Sequence, residues 1–322
     1  MADKTLKSLN FGGADNYFPL PIVSTNDNDN ILVVADGEWV AKSPNDITGQ
    51  YVWSKKDSAD GPVTGYVISN DGEKYPDGGW SEGIYYTLEL EPKLPYLSFI
   101  GNEDFTLKTY NTTKNWDGTL EYSTDTSTWS TWDGTEISSA GNKLYLRGTG
   151  NTKITDGSYD YRFVFTGTDA LKIACKGNIE NLLDYETVIA GGHPTIADWC
   201  YSNMFDGCTS LTTAPALPAT TLANGCYRNM FNGCTSLTTP PELPATTLNA
   251  RCYYEMFCYC TNIKLSTTQT GEYQTPYRIP TSGTGKIAFS ALEDMFYGTG
   301  GTFTGTPEIN TTYYLSTSNT VV

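Results

Sequence analysis

The sequence predicts a mainly β, multi-domain chain: an N-terminal attachment hairpin, a small β module, an antiparallel β-sandwich and a C-terminal solenoid of 26-residue coils. Three observations predict it. The 322 residues include 23 Tyr, 31 Gly and 16 Pro, with abundant Thr, a mixture that favours strands and turns over helices. Short alternating or apolar runs recur between clusters of Gly, Asn, Asp and Ser. Finally, "MFDGCTSLTTAPALPATTL" from Met204 returns almost unchanged as "MFNGCTSLTTPPELPATTL" from Met230, the mark of a stacked repeat. The length suits several domains, and changes in composition place them at 1–45, 46–94, 95–167 and 168–322.

Residues 1–45 read as an attachment segment. "FPLPIV" is extended because its prolines exclude helix. Ile31–Val34 is an apolar run, Asp36-Gly37 is a hairpin signal and "EWV" resumes the strand. One hairpin has little core of its own and needs a partner surface. Phe18, Leu20, Ile22, Ile31, Val33 and Trp39 are therefore the candidate anchor residues. "TNDNDN" at Thr25–Asn30 fails as a calcium loop: counted from Asp27, Ile31 takes the fifth position and no Gly takes the sixth. It reads as a polar turn.

In residues 46–94, "QYVWSKK", "TGYVIS" and "GIYYTLEL" are strand-like. In residues 95–167, "YLSFIG", "FTLKTY", "GTLEYS", "KLYLRG" and "YRFVFTG" follow at the spacing of an antiparallel sandwich. Trp116, Trp129 and Trp132 cluster there. Tryptophans stack on sugars when exposed, but core packing is the commoner use. After residue 168, "LKIAC" reads as a strand and "NIENLLDY" as a short helix. Residues 168–199 are expected to cap the repeats that follow, because a coil stack needs covered ends.

Cys200–Gly225 and Cys226–Arg251 match at 19 of 26 positions, Cys252 opens a third copy, and "EDMFYGTGG" is a degraded fourth after an insertion. A period of 26 lies in the range of leucine-rich coils. At 100° per residue, "CYSNMFDGC" sets Cys200, Tyr201, Met204 and Phe205 on one apolar face and Ser202, Asn203 and Asp206 on the other. This predicts a short amphipathic helix followed by an extended "LTTAPALPATTL". The expected inward columns are Cys200, Cys226 and Cys252; Met204, Met230 and Met256; Phe205, Phe231 and Phe257; and Cys208, Cys234 and Cys260. Parallel ladder side chains suit buried thiols better than disulfides. Cys258, in the slot of Asp206 and Asn232, is expected to face outward and to be the reactive thiol.

The net charge of −16 argues against nucleic acid as a partner, since phosphate binding needs Lys and Arg. There is no membrane-spanning run, and "MADKTLKSLNFGG" has no apolar core of a secretory signal. His193 is the single histidine, with no nucleophile motif or phosphate-cradling loop beside it. No enzyme activity, cofactor or metal is expected. Only five charged residues fall between Cys200 and Asn262, so the outward flank is neutral and rich in hydrogen-bonding groups. It is either a binding surface for protein or glycan or a passive spacer.

The copies "CYSNMFDGCTSLTTAPALPATTL" and "CYRNMFNGCTSLTTPPELPATTL" resemble BspA-like leucine-rich repeats, a family of surface and adhesion proteins of gut and oral bacteria and their phages. "LEYSTDTSTWSTWDGTEISSAGNKLYLRG" resembles the β-domain that often precedes such repeats. "TNDNDNILVVADGEWVAKSP" is similar to a segment recurring near the N-termini of phage fibre and virion-attachment proteins, and "YVISNDGEKYPDGGWSEGIYYTLEL" to a small module of such chains. Together the resemblances imply a head fibre or capsid decoration protein on the outer surface of a phage particle, made in the host cytoplasm. Such fibres are commonly homotrimers. The implied partners are capsid or other virion proteins through the N-terminus and a host surface protein or glycan, on gut bacteria, through the repeats. A tail-fibre or baseplate receptor-binding protein and a bacterial surface adhesin are the alternatives.

Overall fold

The structure, a computed structural model, describes residues 94–317 and, before them, strands only. The chain divides into two compact units, Met1–Pro92 and Lys93–Val322. In the first, β1 (Ser8–Asn10) pairs antiparallel with β2 (Tyr17–Pro19). β3 (Ile31–Ala35) and β4 (Glu38–Lys42) form an antiparallel pair with Val34 opposite Trp39. β5 (Tyr51–Lys56) lies between β6 (Val63–Ile68) and β7 (Tyr85–Leu90). Of the candidate anchors, Phe18 sits on β2, Ile31 and Val33 on β3 and Trp39 on β4. Leu20, Ile22 and the Thr25–Asn30 turn lie outside the described residues.

The second unit is mainly β. Its strands run β8 (Leu97–Gly101), β9 (Thr106–Thr109), β10 (Thr119–Ser123), β11 (Ser130–Trp132), β12 (Ile137–Ser138), β13 (Lys143–Thr149), β14 (Phe163–Thr166), β15 (Ile173–Lys176) and β16 (Leu211–Thr213). One sheet has the order β11-β10-β13-β8-β15-β16 and a second β12-β9-β14. Alternation drives their packing: on β13, Leu144 and Leu146 are buried between half-exposed neighbours. Phe99 of β8 meets Phe163 and Phe165 of β14 at 6.5 and 5.3 Å, so the inner faces of the two sheets share aromatic contacts. Helix α1 (Asn181–Ile189) breaks at Asp184 and buries Leu182 and Leu183. All pairings among β8–β15 are antiparallel, but β16 joins β15 in parallel. The large sheet thus runs across the expected boundary at residue 167 and continues into the repeats.

The repeats form stacked turns of chain, and the expected amphipathic helix is not there. "CYSNMFDGC" is a run of overlapping tight turns: Ser202, Met204, Asp206 and Cys208 donate their amides to the carbonyls of Trp199, Tyr201, Asn203 and Phe205. The intervening residues Trp199, Tyr201, Asn203, Phe205 and Gly207 donate instead to the next coil, at Asn224, Cys226, Arg228, Met230 and Asn232. The second coil repeats this onto the third, and the third onto the fourth at Phe289, Ala291, Glu293, Met295 and Tyr297. A left-handed residue is needed at every fourth position: Trp199, Asn203 and Gly207 have φ of +62°, +60° and +72°, and Asn229 and Gly233 have +54° and +70°. Asn and Gly tolerate that conformation. The helical reading placed the apolar pairs correctly because a four-residue repeat is close to 3.6, but it misassigned half of the amides.

The ends of the stack are covered. Carbonyls of the first coil are met by the segment before β14: Ile154 and Thr155 donate to Cys200 O, the Thr155 hydroxyl to Ser202 O and Phe163 to Met204 O at 2.7 Å. Residues 168–199, expected to be the cap, supply only the strand side, through β15 and the Ile179 amide on Ala216 O. The loop and strand at 154–163 supply the rest, because they present free donors where a preceding coil would. At the far end, β17 (Thr247–Leu248) pairs in parallel with β20 (Lys286–Ile287). β18 (Lys264–Ser266) lies between β21 (Gly300–Gly301) and β22 (Thr312–Ser316), and β19 (Tyr273–Arg278) extends that sheet. Phe296 exchanges both backbone bonds with Gly305.

Two glycines test this architecture. Gly207 needs φ of +72° but has open space where a Cβ would go, so Gly207→Ala should cost only the left-handed strain, about 1 kcal/mol. Gly148 has ordinary φ, but a Cβ there would overlap the Leu182 carbonyl where α1 crosses β13. Gly148→Ala should cost about 3 kcal/mol or more. Urea denaturation midpoints check the order, and the reverse ranking would contradict the packing.

Candidate functional site

The residues expected in the inward columns are all buried. Cys200, Cys226 and Cys252 are at 0% exposure, as are all three Met and all three Phe, and Cys208, Cys234 and Cys260 stay at or below 6%. Phe205, Phe231, Phe257 and Phe296 stack with centroids 5.4–5.6 Å apart and near-parallel planes. Tyr201, Tyr227 and Tyr253 form a second stack. Leu211 with Leu237, Leu217 with Leu243, and Leu222 with Leu248 fill the extended side of each coil. All eight cysteines are free. Cys208, Cys234 and Cys260 donate their S–H groups to the carbonyls of Phe163, Phe205 and Phe231, at 3.0–3.2 Å, so the second column also ties each coil to its predecessor.

Three outward assignments are corrected. Ser202 and Asn203 are fully buried, because the 154–159 loop covers them: Asn203 Nδ2 donates to Gly157 O at 2.9 Å, and Asn229 Nδ2 to the Tyr159 hydroxyl at 3.1 Å. Cys258 is 4% exposed. Its neighbour Tyr259 occupies the slot held by Gly207 and Gly233 in earlier coils, lies over Gly298 and meets Tyr297 edge-on at 5.6 Å. Burial, with nearby Glu255 and Asp294, pushes the Cys258 thiol up to about 11, and burial pushes Cys226 up to about 12.

The surface feature with the most chemistry is a groove of about 610 Å³ between the β14–β15 connection and the outer flank of the first two coils. It opens between two backbone contacts, Phe163 N on Met204 O and Ile173 N on Ser210 O. One wall is fixed by side chains: Glu103 holds Thr168 by its amide and its hydroxyl, and Asn102 brackets Ala170 and Lys172. The other wall presents Thr209, Ser210, Thr235 and Ser236 from equivalent slots of successive coils. At one end Arg162 lies 3.8 Å from the ring centre of Tyr110, which is half-exposed. Asp206 is half-buried, and its carboxylate accepts no hydrogen bond from the described residues. Burial raises its affinity for a proton, and Arg162 opposes the shift. The lining holds two cations, Arg162 and Lys172, and two carboxylates, Asp169 and Asp206, which cancel.

No family model, curated protein or solved structure matches this chain. Its site is therefore read from its own chemistry.

The remaining residues of interest have structural partners. Trp116 and Trp132 are buried and stacked at 5.2 Å. Trp129 is half-buried, with the Arg147 guanidinium 4.0 Å from its ring centre, 4.6 Å from that of Tyr185, and paired with Glu121 at 2.8 Å. His193 is not a bystander: its Nδ1 contacts both oxygens of Glu180 at 2.8 and 3.0 Å, and the Glu180 side chain is wholly buried. Sequence offered no sign of this, since the pair is separated by 13 residues across a helix and a Gly-Gly turn. Among the described residues, no group of three or more His, Cys, Asp or Glu is arranged to hold a metal ion.

With every thiol covered, a native-state thiol titration should show no fast-reacting cysteine, and all eight should react once the chain is unfolded. One rapid thiol at Cys258 in the native protein would refute its burial. Burial also raises the Glu180 carboxyl above its ordinary value, with His193 offsetting part of the shift. The folded protein thus holds that proton more tightly than the unfolded one. The stability it confers is full below the ordinary carboxylate range, about pH 4, and is lost as pH rises through the raised value. Glu180→Gln should remove that decline, whereas His193→Ala should cost about 1–3 kcal/mol at neutral pH by leaving a buried carboxylate unpartnered. Denaturation midpoints across pH 4–8 check both, and a Glu180→Gln profile parallel to that of the unsubstituted chain would count against the assignment.

Proposed function

We propose that this chain is a non-enzymatic structural protein of a phage particle, a head fibre or capsid decoration protein, which displays an adhesive leucine-rich-repeat-like solenoid. Residues 1–45 attach it to capsid or other virion proteins, and the repeat stack faces outward toward a host surface protein or glycan. The observation that carries the adhesive half is the groove against the first two coils. It has pinned walls, a hydroxyl-rich face and a partly buried carboxylate with no hydrogen-bond donor among the described residues. The buried Leu, Phe, Tyr and Cys columns at a 26-residue offset support the solenoid reading. The virion half rests on the resemblance of Thr25–Pro44 to virion-attachment segments, and a homotrimer follows from the same resemblance.

The test is genetic and visual. Deleting residues 1–45 should abolish incorporation into purified particles while the remaining chain stays soluble and folded by circular dichroism. Antibody labelling of intact particles should mark the head. Label confined to the tail would transfer the proposal to a receptor-binding tail protein, and incorporation of the truncated chain would overturn the anchor.

A further inference from the structure

We infer that the groove between the β14–β15 connection and the first two coils binds a neutral oligosaccharide, held by Arg162 and Asp206 with a sugar ring against Tyr110. The inference deepens the adhesive half of the proposed function and rests on it only for biological context.

Four observations carry it. First, the groove's charges cancel within a chain of net charge −16, so nothing in it selects an ion of either sign. Second, among the described residues Asp206 is a half-buried acceptor with no donor, and the Arg162 guanidinium makes one hydrogen bond, from Nη1 to Tyr159 O. A planar acceptor from the first coil and a planar donor from the residue before β14, both lining the groove, match the hydroxyls of a sugar, which donate to one and accept from the other. Third, Tyr110 is half-exposed beside Arg162 and offers aromatic surface for the apolar face of a sugar ring. Fourth, Thr209, Ser210, Thr235 and Ser236 add neutral hydroxyls in register, at the spacing of stacked coils, about 4.8 Å.

A peptide ligand fits less well. Strand addition needs a free sheet edge of several residues, and Phe163 is already taken, its amide by Met204 O and its carbonyl by the Cys208 S–H, which leaves only Val164–Thr166 of the β14 edge on the groove. The exposed lining is also mainly polar, with few apolar pockets for side chains. Preformed walls favour binding, because little ordering is left to be done when the ligand arrives.

The experiment uses the full chain on a printed array of neutral, sialylated and sulfated oligosaccharides, followed by surface plasmon resonance on the best neutral spot. Retention on neutral glycans is expected. Asp206→Asn should weaken it about tenfold or more, as expected for losing a charge-assisted hydrogen bond. Asn232 already holds the equivalent slot in the next coil, so this variant keeps the fold. Arg162→Met and Tyr110→Ala should weaken binding similarly, and Arg228→Ala, outside the groove, should not. If Arg162→Met unfolds, Asp206→Asn decides alone. No retention, retention only on sialylated or sulfated glycans, capture of an extended peptide in place of sugar, or Asp206→Asn binding at full strength would each overturn the inference. Adhesion to whole bacteria separates the two claims. Cells held equally by the unsubstituted chain and by Asp206→Asn would sink the groove and leave the adhesive role standing. Sugar bound in the groove by a chain that adheres to no cells would do the reverse.

Discussion

The repeat stack of the second unit depends on how each coil divides its backbone amides. Alternate residues bond locally across tight turns, and the residues between them bond to the next coil. Every buried donor and acceptor needs a partner, and an α-helix would have met that need within one segment. This arrangement meets it by tying each coil to its successor, so that no coil is complete alone. It requires left-handed backbone at every fourth residue, which Asn203, Gly207, Asn229 and Gly233 supply cheaply. It also fixes the register. Between Met256 and Met295 the offset is 39 residues instead of 26, yet Met295 and Phe296 take the same buried slots, and the extra chain, with β19, leaves the stack after β18, which still pairs in parallel with β21.

The side chains follow the backbone. Coils that stack in register bring identical residues together, so Phe meets Phe and Tyr meets Tyr at a constant spacing and with planes nearly parallel. Cysteine suits both columns because it is small and apolar, and in the Cys208–Cys234–Cys260 column its S–H group also reaches a carbonyl of the preceding segment. The first coil has no predecessor, and the β-domain stands in for one. Phe163 of β14 accepts from Cys208 and packs on Phe205 at 5.8 Å, so the sandwich core and the coil core are continuous.

The groove is a consequence of that substitution. A real preceding coil would track the first one along its whole length. β14 tracks it only at Phe163, and the chain returns at Ile173, leaving a polar gap whose one wall is repeat and whose other wall is β-domain. Asp206 lies in the gap, whereas in the next coil the same slot holds Asn232. A site of this kind belongs to the junction and to neither partner by itself.

What the sequence alone determined is the periodic part: mainly β character, the 26-residue repeat, and the identity of the buried columns, including Cys200, Met204, Phe205 and Cys208. Those are legible because stacking makes burial depend on position within the repeat, and repetition displays that position several times over. The Asn and Gly at four-residue spacing also spelled out the turns, but an apolar period near 3.6 imitates them. Tertiary structure decided everything that depends on non-repeating neighbours. Ser202 and Asn203 are buried because a loop at 154–159 covers them, Cys258 is buried where Asp206 and Asn232 in the same slot are half-buried, and Glu180 finds His193 across a turn. The groove likewise joins Tyr110, Arg162 and Asp206, which lie far apart in the chain. Periodicity records which way a side chain points, but not what another part of the chain places in front of it.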